Sequence, residues 1–452
     1  MKNKQYSIFE TFVGAGGSHI GFKKNNFKSV YVNDNNIDCL NTLLLNNPEI
    51  KETAYIDHKS IIDIDVKNIL NKIKLEKKEL DVMFGGIVCK GFSLAGERSP
   101  NDERNYFYHK QLELVNEIKP KISIIENVKA FLNGKVLSEE TPEDVKEKVD
   151  FIWQQLENYK GQKAELRKKD NINNEFLEKG LFFRKEKENL LKLLEEKKYL
   201  ISVIEDIYKI YDRIGYNVSH KILNTAWYGS STKRERVIII ATRKDLPNNF
   251  EFPIPKYHSK EISTKLDFKN LDLETNFLKP ISIGEVLSKI DYNNKNDKDN
   301  EPMNHSKKTI DRFKFINAGS NIQEIMEELP SELKISNFYS RGNTMRLDMN
   351  SLAPTLVPGH SNFPVHPIEH RSITVREAAI ITGFPLDYIF VGSHTKRCEH
   401  VGNAVPPPLS DAIAKECVNY LNKINFDYEN VKETSKKQVI YNKKNNRVLI
   451  KK

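Results

Sequence analysis

Cysteine is scarce: there are four in 452 residues, at Cys39, Cys89, Cys398 and Cys417, and no two form a CxxC pair. That spacing offers neither a disulfide framework nor a zinc site, and it suits a reducing compartment. No stretch approaches the ~20 consecutive apolar residues that a membrane-spanning helix needs. The opening residues MKNKQYSIFETF run straight into a strand-like segment, without the apolar core and cleavage site of a secretory signal. Membrane and secreted classes are therefore not expected; a cytoplasmic protein without a metal centre is. Internal repeats are lacking too. Charge of one sign is only mildly in excess, since 71 Lys+Arg against 62 Asp+Glu leave +9, a weak pull toward a polyanionic partner. More than half of that excess lies in residues 426–452, which carry 8 basic against 3 acidic side chains.

What is present reads as globular, with 38% hydrophobic and 10% aromatic residues. At ~100–200 residues per domain, the length calls for two or three domains. Over residues 1–131 short apolar runs (Tyr6 to Phe12, Tyr31-Val32, Asp81 to Phe84, Ile122 to Ile125) alternate with helical stretches such as Ile37 to Leu45. This alternation predicts an α/β fold with a mainly parallel sheet. Residues 132–199 turn Lys/Glu-rich, with Ile152, Leu156 and Tyr159, then Leu190, Leu191 and Leu194, at helical spacing. They predict an α-helical hairpin insert that turns near Asn171 to Asn174. Strand character resumes in residues 200–245, at Val218 to Leu223 and Val237 to Ala241. Residues 246–367 are irregular, with short β-type segments, and are expected to form a separate loop-rich domain. Residues 368–425 return to helical periodicity ahead of the basic tail 426–452.

Phe12-Val13-Gly14-Ala15-Gly16-Gly17 follows a strand and precedes a helix, where glycines let backbone approach a cofactor. It is not a full GxGxxG, because His19 takes the last place. Asp34 closes the next strand, where a carboxylate can accept from ribose hydroxyls; a tight turn beside a surface aspartate is the plainer alternative. Cys89 lies in a loop after a strand, between glycines and beside Lys90, whose charge would raise the thiolate fraction. A small buried hydrophobe is the other reading, and the one taken for Cys39 and Cys417. Glu126 ends a strand, where open α/β sheets bind ligands and a buried carboxyl can keep a proton to donate; it could equally cap a helix. Arg234 and Arg236 stand at pleat spacing, as two forked donors for a carbonyl oxygen or phosphate, or as a solvated charge cluster.

Taken in order, these segments resemble the DNA (cytosine-5) methyltransferase family. The matching pieces are Phe12 to Gly17 with Gly21-Phe22, Gly85-Gly86 and Cys89 with Gly91-Phe92-Ser93, Asp102 to Asn105, and Glu126-Asn127-Val128. They continue with Gly229 and Arg234-Glu235-Arg236, then Arg371 with Thr374-Val375-Arg376-Glu377 and Gly383-Phe384-Pro385, and end with Gly402-Asn403-Ala404-Val405-Pro406. The resemblance implies a Rossmann-like S-adenosylmethionine-dependent domain from residues 1–131, 200–245 and 368–425. It makes 246–367 a smaller, β-containing target-recognition domain, in which Arg346 and Pro354-Thr355 match a short family pattern. It implies that Cys89 adds to C6 of a flipped-out cytosine in double-stranded DNA, that Glu126 serves the N3 side, and that Arg236 with Arg234 holds O2. For the cofactor it implies Phe12, Gly14, Gly16 and Gly17 at the methionine end, Asp34 on the ribose and Ser60-Ile61 at the adenine. Asn35, Gly86 and Asn403 complete that pocket. A restriction-modification setting, with a cognate endonuclease as partner, follows from the same resemblance. Where the family has proline and glutamine around the cysteine this chain has Val88 and Lys90. Ser231-Thr232 replaces Pro-Gln before the arginines, and Glu10 replaces the aspartate of the first motif. Losing the proline loosens the placement of the nucleophile, and Lys90 could offset that through the thiol's acidity.

Two other readings compete. A tRNA cytosine-5 methyltransferase is disfavoured by the length of 246–367. A DNA-binding regulator is suggested by Val88 and Thr232, but retention of Cys89, Glu126, Arg234 and Arg236 predicts an active enzyme.

Overall fold

The computed structural model describes residues 4–87, 99–168, 173–247, 250–268, 276–335, 342–357 and 363–444, without the side chains of 103–104 and 426–444. Its strands are β1 (Tyr6–Thr11), β2 (Phe27–Asn33), β3 (Tyr55–Asp57), β4 (Val82–Gly86), β5 (Ile122–Val128), β6 (Lys135–Leu137), β7 (Leu200–Ser202), β8 (Tyr216–Asn224) and β9 (Glu235–Arg243). Seven of them form one sheet in the order β3-β2-β1-β4-β5-β9-β8. β1 to β5 pair in parallel, and β9 runs antiparallel to both its neighbours. Val82 to Phe84 and Ile122 to Ile125 are buried on both faces, which is why they read as unbroken apolar runs rather than as alternation. From β1 the chain steps outward to β2 and β3, and β4 then starts on β1's other side. That reversal opens a crevice at the carboxyl ends of β1 and β4, the usual ligand position in such sheets.

One sheet face is covered by the helices Phe107–Ile118 and Val203–Arg213, whose Leu112, Val115, Ile118, Ile207 and Tyr211 pack on Phe9, Met83 and Ile125. The other is covered by helix α1 (Gly17–Lys24) and the helix Pro407–Lys444, through Phe22, Leu409, Ile413, Cys417 and Leu421. Burial pushes the Cys417 thiol well up, so it behaves as a small hydrophobe. Helix α2 (Ile37–Asn46) follows β2, its first turn capped by the Asn36 side chain.

The insert is a hairpin of the helices Glu143–Lys168 and Asn174–Glu196, 26 and 23 residues long. The short antiparallel β6–β7 ladder closes its base. Val149, Ile152, Trp153 and Leu156 meet Phe183, Leu190 and Leu194 in a core of their own. Among the described residues of the irregular stretch, Ile262 and Leu352 join the core beneath the sheet, while Ile283 to Ile290 pack on the helices Val375–Thr382 and His394–Asn403. Phe313, Ile316, Ile322, Leu329, Leu333 and Val365 form a cluster peculiar to it. Its β structure, among the described residues, consists of isolated bridges such as Arg346 with Val365.

Candidate active site

The chain leaves β1 through a tight left-handed turn, with φ at +50° for Phe12, +56° for Gly14 and +91° for Gly16. A bulky residue rarely adopts such a φ, and Phe12 does so with its ring tilted against Phe107 at 6.2 Å. Space above Gly14 is open: a Cβ there would meet nothing within 4 Å. Gly17 and Gly21 are glycines for a different reason. A Cβ on Gly17 would strike the Val405 carbonyl oxygen, and one on Gly21 the backbone of Ser410 and Asp411, so both let the C-terminal segment lie on α1. Ser410 Oγ also donates to the Gly17 carbonyl at 2.9 Å.

Asp34 ties this turn to the end of β2. Its Oδ2 accepts from Gly14 N at 2.8 Å and its Oδ1 from Asn36 N at 2.9 Å. Burial pushes its carboxyl above the usual carboxylate range, against the pull of the two backbone N–H groups. Asn35 and Asn403 are exposed, and so are Ile37 and Ile62. Ser60 is half-buried, whereas Ile61 belongs to the hydrophobic core. Glu10, in place of the family's aspartate, is fully buried on β1 and accepts from Ser18 and Ser29 Oγ, with His19 Nδ1 at 2.9 Å from its Oε2.

Across the crevice, the sheet register sets Gly86 beside Glu126 and Val128 beside Arg236. Arg236 Nε lies 2.8 Å from Glu126 Oε1. Burial outweighs the attraction of Arg236 and Arg234 and holds the Glu126 carboxyl above its ordinary range, so it takes up a proton more readily than an exposed glutamate. A Cβ on Gly86 would lie 3.5 Å from the Phe12 carbonyl, 3.7 Å from Val405 Cγ2 and 3.8 Å from Glu126 Oε2. The glycine turn, the buried carboxyl and the C-terminal segment thus meet around one residue that has no side chain. Cys89, with Val88 and Lys90, lies outside the described residues. The chain enters that segment from a fixed point, because Asn127 Nδ2 donates to the Ile87 carbonyl at 3.1 Å.

Arg234 does something different from Arg236. Its two terminal nitrogens donate to the carbonyls of Gly402, at 2.7 Å, and Ala404, at 3.1 Å. Thr232, where the family has glutamine, donates through Oγ1 to the Pro354 carbonyl at 2.9 Å, and the flanking backbone bridges to Ala353. Arg346 is a buried hub: it donates to the carbonyls of Ile316, Phe313, His366 and Glu369 and holds the small cluster together. Tyr388 was not singled out by the sequence, yet its hydroxyl donates to the Ala15 carbonyl at 2.6 Å and braces the glycine turn from the C-terminal part of the chain. Asn127 was legible only as a member of Glu126-Asn127-Val128.

The family model for C-5 cytosine-specific DNA methylase matches residues 6–152 and 187–419. The chain belongs to that family. It is a DNA cytosine-5 methyltransferase, and the unmatched residues 153–186 take in the distal parts of the helices Glu143–Lys168 and Asn174–Glu196. The Type II methyltransferase M.DdeI of Desulfomicrobium norvegicum is 25% identical over 448 residues, covering 93% of this chain and 90% of that protein. M.FnuDI of Fusobacterium nucleatum is 24% identical over 448 residues, covering 96% and 99%. Among solved structures, a prophage-encoded DNA modification methyltransferase from E. coli aligns with a TM-score of 0.57 at 19% identity, over 92% of this chain and all of that one. The Dnmt2 methyltransferase of S. pombe aligns at 0.52 with 12% identity, over the same shares. These two likenesses concern the fold. Among the described residues no helix is long and apolar enough to cross a membrane, and no group of His, Cys, Asp and Glu could hold a metal ion.

Proposed function

We propose that the chain methylates cytosine within one double-stranded DNA sequence, as the modification enzyme of a restriction-modification pair, with Cys89 as nucleophile. The observation that carries this reading is the buried Glu126–Arg236 pair at the carboxyl end of β5, one van der Waals layer from the glycine turn. Cytosine C5 is a poor nucleophile. Addition of the Cys89 thiolate to C6 forms the S–C6 bond and pushes the ring electrons toward C5, while Glu126 supplies a proton at N3. Arg236 faces the charge that develops at O2. After methylation water takes the C5 proton, its electrons re-form the C5–C6 double bond as the S–C6 bond breaks and the thiolate leaves, and N3 returns its proton to Glu126.

The residues present fit S-adenosylmethionine, which supplies an electrophilic methyl on a sulfonium centre when bound. Open space over Gly14 admits its backbone-hugging end. The Asp34 carboxylate has lone pairs for ribose hydroxyls beyond the two used by Gly14 and Asn36. Asn35, Ser60, Ile61, Gly86 and Asn403 complete the lining, with Ile61 acting through its backbone because its side chain lies in the core. The named relatives are Type II methyltransferases, which supports the restriction-modification setting. Bisulfite sequencing of DNA from cells expressing the chain tests the proposal: one sequence motif should be methylated, and Cys89→Ala should abolish it. Unmethylated DNA in the presence of folded protein would refute the activity.

A further inference from the structure

The helix His394–Asn403 ends at the rim of the cofactor crevice, where Ala404 N takes the Val401 carbonyl. Arg234 reaches the carbonyls that follow, those of Gly402 and Ala404, from the other side of the site. It is 3% exposed, and its fork spans the two carbonyls that flank Asn403, one through each terminal nitrogen. A cation at that position also complements the negative end of the helix dipole. Ala404 and Val405, next along, press on Gly17, and Val405 reaches Gly86. Both terminal nitrogens of Arg234 are committed to backbone, whereas Arg236 is bound to Glu126 itself.

We propose that Arg234 is a positioning residue of the cofactor site, which clamps the peptide on both sides of Asn403 and leaves Arg236 as the arginine that meets the base. This rests on the reading of Asn403 as a cofactor contact. Two measurements on the purified full-length chain separate the roles. One is the dissociation constant of S-adenosylmethionine by titration calorimetry without DNA. The other is release of tritium from [5-3H]cytosine-labelled DNA without cofactor. In that exchange the thiolate adds to C6, C5 takes a proton from water, and tritium passes to water as sulfur departs. Arg234→Lys, which keeps the charge but not the fork, should weaken cofactor binding by about tenfold or more and leave exchange within about twofold. Arg236→Lys should do the reverse. Should Arg234→Lys fail to accumulate as folded protein, Arg234→Gln, with one amide donor left, is measured in its place. Exchange slowed as strongly by the Arg234 variant as by Arg236→Lys, with cofactor affinity intact, overturns the proposal. Asn403→Ala distinguishes the failures: unchanged affinity in that variant removes the cofactor reading on which the proposal rests, whereas weakened affinity there beside intact affinity in the Arg234 variant removes the clamp alone.

Discussion

His400 is buried where α2 meets the helix that delivers Asn403. Its Nδ1 lies 3.4 Å from Thr42 Oγ1, the same hydroxyl that accepts from Val391 N. Burial holds the imidazole down at about 4, against its ordinary 6.5, with Asp38 and Glu399 pulling it back up. The folded chain therefore keeps His400 neutral where an unfolded chain would protonate it. Stability from this group is fully present above about pH 6.5 and is lost as pH falls through about 4. At about 1.4 kcal/mol per pKa unit the full effect is about 3.5 kcal/mol, of which about 1.5 kcal/mol should be gone by about pH 5.5 and about 2.5 kcal/mol by about pH 4.5. Other histidines, including His220, His305 and His366, are shifted down too, so the wild-type acid profile sums several groups. The difference between wild type and His400→Gln isolates this one, because glutamine keeps a polar contact to Thr42 but cannot titrate. Urea unfolding at several pH values should give curves that diverge below about pH 6.5, the variant losing less. Parallel curves would show that His400 is not held neutral in the folded state.

Four further outcomes follow from other parts of the site. Glu126→Gln should cut methyl transfer by about 10²-fold or more; wild type should also lose rate as rising pH takes the proton from the raised carboxyl, and the variant should lack that limb in a pH–rate profile. Glu377→Gln removes the carboxylate that takes both terminal nitrogens of the buried Arg371 at 2.8 Å and leaves it only the half-exposed Glu369 carboxylate, 2.6 Å from its Nε; the urea midpoint should report a loss of about 2–3 kcal/mol, and a loss under about 1 kcal/mol would mean that Arg371 and Glu377 are not a buried ion pair. Gly17→Ala drives a Cβ into the Val405 carbonyl; calorimetry should find cofactor binding abolished in whatever folded protein forms. Asn101, just beyond the Cys89 segment, donates to Asp150 of the hairpin at 2.9 and 3.1 Å; Asn101→Ala should slow covalent trapping on 5-fluorocytosine DNA about two- to fivefold, and the exchange Asn101→Asp with Asp150→Asn should restore it.

Much of the fold was legible because local chemistry repeats what the tertiary structure needs. Thr374-Val375-Arg376-Glu377 is a capping box, with Thr374 Oγ1 accepting from Glu377 N and the Glu377 carboxylate from Thr374 N. Gly383 closes the same helix at φ +104°, where Pro408 would meet any Cβ. A strand such as Val237 to Ala241, buried on both faces, has one appearance whatever covers it. The irregular stretch 246–367 was less legible for the opposite reason. Its apolar residues are scattered among polar ones, and nothing in Ile262 or in Ile283 to Ile290 says which larger element will cover them. Among the described residues most of them complete the cores of neighbouring helices and sheet.

The two arginines mark where sequence reasoning about the site stops. Arg234 and Arg236 have the same chemistry, sit two residues apart and are both buried, so pattern alone gave them one job. Their acceptors separate them. Arg236 finds a carboxylate across a strand pair, a residue whose identity is written in the sequence. Arg234 finds two main-chain carbonyls, 168 and 170 residues away, and a carbonyl is the same on every residue. A side-chain donor can therefore be read from a sequence while its backbone acceptor cannot. Any forked cation near an active site carries this ambiguity between touching the substrate and holding the wall. Here the end of the helix His394–Asn403 separates the two, because the carbonyls of Gly402 and Ala404 accept from the terminal nitrogens of Arg234 while Arg236 keeps its carboxylate.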